Sequence, residues 1–486
     1  LNRSAHTQQA SIQPEPPIRP TYHRVLFGAS IRVRPELRAS LQALPYVASV
    51  HEDVAYQAMW TASATHIKAP QVWAQYGTRG AGIKVAVIDS GVDYHHPALG
   101  GGIGAGFKVL GGWDFVDDDA DPIDTFGHGT HVAGIIAGNA GDVIGVAPEA
   151  SLYAYRSLDG NGRGSASSVI AAIERSVDPD ENDNPSDHVD VVNLSLGGPP
   201  QENDPGVAAV ESAAAFGIVM STAAGNGRDY PNISTPGISP SRITVGASDL
   251  TDALAAFSSR GPSMFFAIKP EVIAPGVNIY SSTLHNENAF LSGTSMATPH
   301  VAGLAALMKA VHSDWSPSDI KNAIVTTTKP FDIDVMTIGS GRVDALSAVQ
   351  TDALIAPSTV SFGAVDATIP VWNASSSVTL RNRSTQQRTF TSTVRGLRAG
   401  VTVTVTPPSV TLEAGATATV QIDLSVTNAQ VPAPEDGSLS YGGRIEWTGG
   451  AVPVHVPWAF TKGSILAVDV VDAVAQGRIE VLGGKK

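Results

Sequence analysis

The chain predicts an α/β fold: a mostly parallel sheet with helices on both faces, preceded by a small α+β unit and followed by a β-sandwich. Three observations predict it. Between residue 82 and about residue 350, short apolar runs alternate with Ala-rich helical stretches. After about residue 351 the period becomes strictly two residues. With 486 residues, 43% hydrophobic and 16% charged, the composition is globular and leaves room for two to four domains.

The divisions follow in order. Residues 1–58 open polar and Pro-rich, then alternate loosely over 22–33, and carry Leu37, Leu41 and Leu44 at helical spacing. The chain begins with Leu1 rather than Met, and no charged-then-apolar leader follows, so a trimmed N-terminus and a missing signal peptide are expected. In residues 59–350 the runs 83–88, 189–196, 218–222 and 243–247 are short and largely apolar, and interleaved with helical stretches they read as strands of a mostly parallel sheet covered on both faces. Within residues 351–463, Ala416, Ala418, Val420, Ile422, Leu424 and Val426 fall on one side of an extended chain, as do Val401, Val403 and Val405, which reads as a β-sandwich. Residues 464–486 are too short to fold alone and read as a tail or the start of a truncated further domain.

Charge narrows the function. Forty-five acids against 31 bases give −14 with no basic block, so phosphate backbones are repelled and nucleic acid is excluded as a partner. Without cysteine there is no disulfide, no thiolate metal site and no Cys nucleophile. No run approaches 18 apolar residues, so no transmembrane segment is expected.

Four motifs carry chemistry. The strand Lys84-Val85-Ala86-Val87-Ile88 runs into Asp89-Ser90-Gly91, placing a carboxylate at the carboxyl end of a buried strand, where open α/β sheets build their sites. Gly127-His128-Gly129-Thr130-His131 sets a histidine at the start of a helix of small residues. Ala223-Ala224-Gly225-Asn226-Gly227 ends another strand with an amide. Gly293-Thr294-Ser295-Met296-Ala297 leads into an apolar helix, so Ser295 sits near free N–H groups that favour a developing oxyanion. Singly each is ordinary: an Asp at a strand end is commonly a cap, and an Asn between glycines a turn. Jointly they supply an orienting carboxylate, a base, an oxyanion donor and a nucleophile. His131 and His300, one turn into apolar helices, read as core histidines.

With these motifs in this order, the chain resembles the subtilisin-like serine proteases, the subtilases, over about residues 60–350. The resemblance implies a serine endopeptidase acting on protein or peptide substrates, with Asp89, His128 and Ser295 as triad and Asn226 beside the Ser295 N–H as oxyanion donors. It implies a groove in which Gly162, Arg163 and Gly164 on one side and Ser195, Leu196, Gly197 and Gly225 on the other receive an extended substrate. It further implies that residues 1–58 are a truncated propeptide, an intramolecular inhibitor cut near residues 56–60 so that the enzyme is a zymogen. The 351–463 sandwich would be fibronectin-like, packing against the protease or spacing it, and the enzyme would be secreted or at the cell surface.

Asp114, Asp117, Asp118, Asp119, Asp121 and Asp124 crowd the approach to His128, and such a loop needs a cation or water. Asp114, Asp117, Asp119, Asp121 and Ile123 resemble the calcium loop of thermitase-like subtilases, so structural calcium is expected there against the alternative of a solvated loop. The strong calcium site of many subtilisins is in doubt, since Ala98 stands where the family often has Asp. The acidic stretch 178–187 reads first as a surface insertion and second as a metal loop. Competing functions are a catalytically idle adhesive protein using the sandwich, and an α/β-hydrolase esterase, which lacks its Gly-x-Ser-x-Gly elbow here.

Overall fold

A computed structural model describes residues 18–22, 28–31, 34–50, 62–201, 204–228, 232–434 and 440–462. The chain divides into two compact units, Leu1–Met59 and Trp60–Lys486. The expected cut near residues 56–60 and the tail 464–486 lie outside the described residues.

In the smaller unit, strands Ile18–Tyr22 and Gly28–Ile31 pair antiparallel, followed by a 3-10 turn Pro35–Leu37 and a short helix Arg38–Gln42. The Gln42 side chain accepts the Val50 N–H at 2.9 Å and folds the segment back. The helix falls within the leucine spacing of residues 37–44 and the second strand within the alternating stretch 22–33, whereas the first strand lies mostly in the opening read as polar and Pro-rich, and Leu37 is exposed.

The larger unit is built on a seven-stranded sheet. Its strands are β1 (Lys84–Asp89), β2 (Val109–Asp114), β3 (Ser151–Arg156), β4 (Val191–Leu194), β5 (Val219–Ala223), β6 (Ile243–Ser248) and β7 (Val272–Pro275), in the order β7-β6-β5-β4-β1-β3-β2. Every neighbouring pair is parallel. Side chains alternate across the pleat. Val85 and Val87 therefore enter one core with helices α1 (His128–Ala137) and α4 (Thr294–Val311), while Ala86 and Ile88 enter the other with α2 (Ala166–Val177) and α3 (Pro205–Ala215). Burial on both faces is why these strands read as largely apolar runs and not as a strict alternation of apolar and polar residues.

The two-residue period after residue 351 resolves into a four-stranded sheet containing Val371–Asn382, Thr417–Thr427 and Val401–Thr406, and a five-stranded sheet containing Ser440–Thr448 and Val454–Thr461. Between them lie Phe390, Trp447 and Trp458 with Val420, Ile422, Leu424 and Val426, all buried. The sandwich is docked on the α/β body. His455 Nε2 meets Ser340 O at 2.9 Å and the Thr328 hydroxyl at 3.1 Å, and Ala459 packs with Ile268, Val335 and Met336. Among the described residues no helix is long and apolar enough to cross a membrane.

Candidate active site

Asp89 closes β1 and is fully buried. Its Oδ1 accepts both the Ser90 N–H at 2.8 Å and His128 Nδ1 at 2.7 Å. His128 is the first residue of α1, which must lie almost on the Asp89-Ser90-Gly91 turn for this contact. Gly129 permits that approach: a Cβ there would stand 2.1 Å from Gly91 O and 3.1 Å from Asp89 Cβ. The glycine after the histidine is thus a packing requirement of the carboxylate before it.

Asp124, read from sequence only as one acid in a crowded loop, holds the start of α1. Its Oδ1 accepts from the Ser90 hydroxyl and from Phe126 and Gly127 N–H, and its Oδ2 accepts the Thr130 N–H and hydroxyl. A carboxylate at the positive end of a helix satisfies amides that have no intrahelical partner. Burial pushes the Asp124 carboxyl up from its ordinary value, with the Thr130 hydroxyl and these amides pulling the other way. Its charge also reaches His128. Burial there disfavours the imidazolium, but the Asp89 charge and hydrogen bond, with Asp124 behind them, together hold the His128 pKa above its ordinary 6.5.

Ser295 is the second residue of α4, which begins at Thr294 after the extended Gly293. Pro299 lies inside the helix and lacks the N–H that would bond the carbonyl four residues earlier. That carbonyl belongs to Ser295, and it accepts the Ser195 hydroxyl at 2.8 Å instead. Ser195 is oriented in turn by Asn193 Nδ2 at 3.0 Å, while the Ser295 hydroxyl donates to Ser195 O at 2.9 Å. No Ser295–His128 hydrogen bond forms in this resting arrangement: the free hydroxyl takes the carbonyl acceptor beside it. Hydrogen bonds of this kind are commonly loose in unliganded enzymes and tighten with substrate.

Asn226 follows β5. Its Oδ1 accepts the Thr294 N–H and hydroxyl, both at 3.0 Å, which turns Nδ2 the other way. Nδ2 makes no hydrogen bond to the described residues. A Cβ placed on Gly293 would lie 3.6 Å from Asn226 Nδ2 and 3.6 Å from Ser295 N, so both donors flank one small space. His128, Asn226 and Ser295 line a cleft of about 830 Å³ together with Gly162, Arg163, Gly164, Ser195, Leu196, Gly197 and Gly225. All seven expected groove residues are therefore in it. Phe126, Leu158, Gln201, Asp204 and Ser234 also line the cleft, and no motif marked them. Phe126 is 47% exposed and adds an aromatic ring to the cleft lining. A second cavity of about 680 Å³, on the seam with the sandwich by Phe331 and Tyr441, contains none of these groups.

His131 and His300 are buried and bond to main-chain carbonyls, His131 to Ile279 O and Ala289 O, His300 to Met296 O. Burial lowers each to about 4, which keeps them neutral core groups.

The expected calcium ligands do not fit an ion in this arrangement. Arg156, the last residue of β3, is paired in register with Asp114 and puts its guanidinium on both the Asp114 and Asp117 carboxylates. Asp119 accepts the Asp121 N–H at 2.9 Å, Asp121 accepts the Tyr94 hydroxyl at 2.6 Å, and Ile123 packs against the apolar core. The cation that closes the loop is a side chain from a neighbouring strand, and the only sequence signal for it was a charge ending an apolar run. Among the described residues the carboxylates that converge, within 4.8 Å, are Asp178, Asp180 and Asp187 of the second acidic stretch.

Residues 80–365 match the peptidase S8 subtilase family. The chain is 38% identical over 304 residues to serine protease AprX of Bacillus subtilis strain 168, covering 56% of this chain and 66% of that one, just under two thirds. It is 38% identical over 315 residues to subtilisin E of the same strain, covering 63% and 76%, and 40% identical over 292 residues to a subtilisin of Bacillus pumilus, covering 59% and 97%. With more than half its length matched, this chain belongs to the subtilase family and is, by that membership, a serine endopeptidase.

Proposed function

We propose that the protein hydrolyses peptide bonds of extended polypeptides through an acyl-enzyme formed on Ser295. The observation that carries the reading is the 2.7 Å His128–Asp89 bond at a cleft that also holds Ser295 and the Asn226 amide. The Ser295 hydroxyl leaves Ser195 O, gives its proton to His128 Nε2 and attacks the carbonyl carbon. Asp89 keeps His128 in the tautomer whose Nε2 is free and steadies the imidazolium. The oxyanion settles between Asn226 Nδ2 and the Ser295 N–H. His128 then protonates the departing amine, and water repeats the sequence to release the acid and regenerate the hydroxyl. A serine-directed phosphonate is expected to label Ser295 in native processed protein; a protein left unlabelled at Ser295 and inert to denatured polypeptides would favour the adhesive alternative.

Proton acceptance by His128 sets the acid limb. Because its pKa is held above the ordinary value, the imidazole is lost as a base while pH is still above 6.5 on the way down. The midpoint of kcat/KM against pH is therefore expected above about 6.5. A midpoint below about 6 would contradict His128 as the base.

In this reading residues 1–58 are an inhibitory segment removed on maturation and the enzyme acts outside the cell. The antiparallel strands and helix within that stretch suit a propeptide remnant. N-terminal sequencing of active enzyme is expected to begin at or after residue 56; a start well upstream would defeat the zymogen reading. The sandwich, taken as fibronectin-like, serves as a docked support.

A further inference from the structure

Asp204 is the sole carboxylate among the described residues that line the cleft. It caps α3 with Oδ1, which accepts the Gly206 N–H at 2.6 Å, and its Oδ2 accepts the Thr235 hydroxyl at 2.5 Å. Thr235 is locked to the cleft wall by reciprocal main-chain bonds with Gly198, at 2.8 and 3.0 Å. The half-buried carboxylate is thus fixed relative to residues 195–198, and each oxygen keeps a lone pair for a further donor. The nearby buried Arg242 faces Glu211 and Glu271 before Asp204, and donates to Thr222 rather than to Asp204.

The adjoining wall is narrow. A Cβ on Gly197 would lie 2.9 Å from Ser234 Cβ, and one on Gly225 only 2.2 Å from the Ser234 hydroxyl. Ser234 therefore wedges between the two segments and leaves little breadth for a branched or aromatic group. A long unbranched side chain ending in a positive charge matches both features.

We propose that Asp204 selects a lysine or arginine in the substrate segment lying along residues 195–198. The selection rests on the proposed protease reading of the same cleft. The test uses internally quenched peptides of one sequence, with Lys, Leu or Glu placed in turn at each of the four positions before the scissile bond, against the native enzyme and Asp204→Asn. Asparagine keeps the helix cap through Oδ1 and removes the charge, while its Nδ2, standing where Oδ2 was, donates to the Thr235 hydroxyl instead of accepting from it. At one position the native enzyme is expected to prefer Lys over Glu, and the variant to lower that kcat/KM ratio by roughly 3- to 10-fold, the scale of a partly exposed ion pair gained on one side and a repulsion lost on the other. The ratio does not depend on the fraction of variant that folds. Equal ratios in the two proteins overturn the role of Asp204 and leave the protease standing. Native enzyme that cleaves none of the peptides overturns the protease reading and this one with it.

Discussion

Replacing Ser295 by alanine is expected to lower kcat by about 10⁴- to 10⁶-fold, a magnitude set by the losses measured when the triad of subtilisin, a relative of this chain, is dismantled. The physical ground is that the neighbouring cleft hydroxyls are already committed, Ser195 to the Ser295 carbonyl and Thr294 to Asn226 Oδ1, so that without the Ser295 hydroxyl oxyanion stabilisation and binding remain. The fold should tolerate the change. The hydroxyl makes one hydrogen bond, to Ser195 O, and such a bond contributes about 1 kcal/mol. The Ser195 clamp on the Ser295 carbonyl does not involve the deleted atom. A melting curve close to native, with loss of turnover and of phosphonate labelling, is the expected outcome. Retained turnover would remove Ser295 from the chemistry.

Asn226→Ala is expected to cost about 10²- to 10³-fold in kcat with little change in KM, again the size found for the subtilisin oxyanion asparagine. The asymmetry has a cause. Negative charge on the substrate oxygen develops only as the transition state toward the tetrahedral intermediate is reached, so a donor aimed there adds little to ground-state binding. Alanine also removes the acceptor for Thr294 N–H and hydroxyl, which disturbs the first turn of α4. Asn226→Asp keeps that acceptor and deletes the donor, and should lose kcat to a similar or greater extent. A rise in KM at unchanged kcat in either variant would instead mark Asn226 as a substrate-binding group.

The parallel sheet was legible because burial on both faces leaves a direct trace, as in the consecutive apolar residues Val85, Ala86, Val87 and Ile88. The candidate site was legible because glycine-flanked polar residues at strand and helix ends answer a geometric need that shows in the sequence: Gly129 accompanies His128 since any larger residue would strike Gly91 O. The acidic loop was not legible. Six acids before His128 look alike in sequence, yet Asp124 caps α1, Asp121 meets Tyr94, and Asp114 with Asp117 grips Arg156 from a strand more than thirty residues on.

The sequence by itself determined the class of fold, the order of the four chemical groups and the two-sheet character of the C-terminal part, because periodicity and motif order are local properties of the chain. Tertiary structure alone decided what meets what. It matched Arg156 to the loop that otherwise called for calcium, turned the Ser295 carbonyl freed by Pro299 toward Ser195, and brought Asp204 into the cleft. Each of these pairings joins residues distant in the chain and depends on strand order and register, which charge and hydrophobicity along a single segment do not encode.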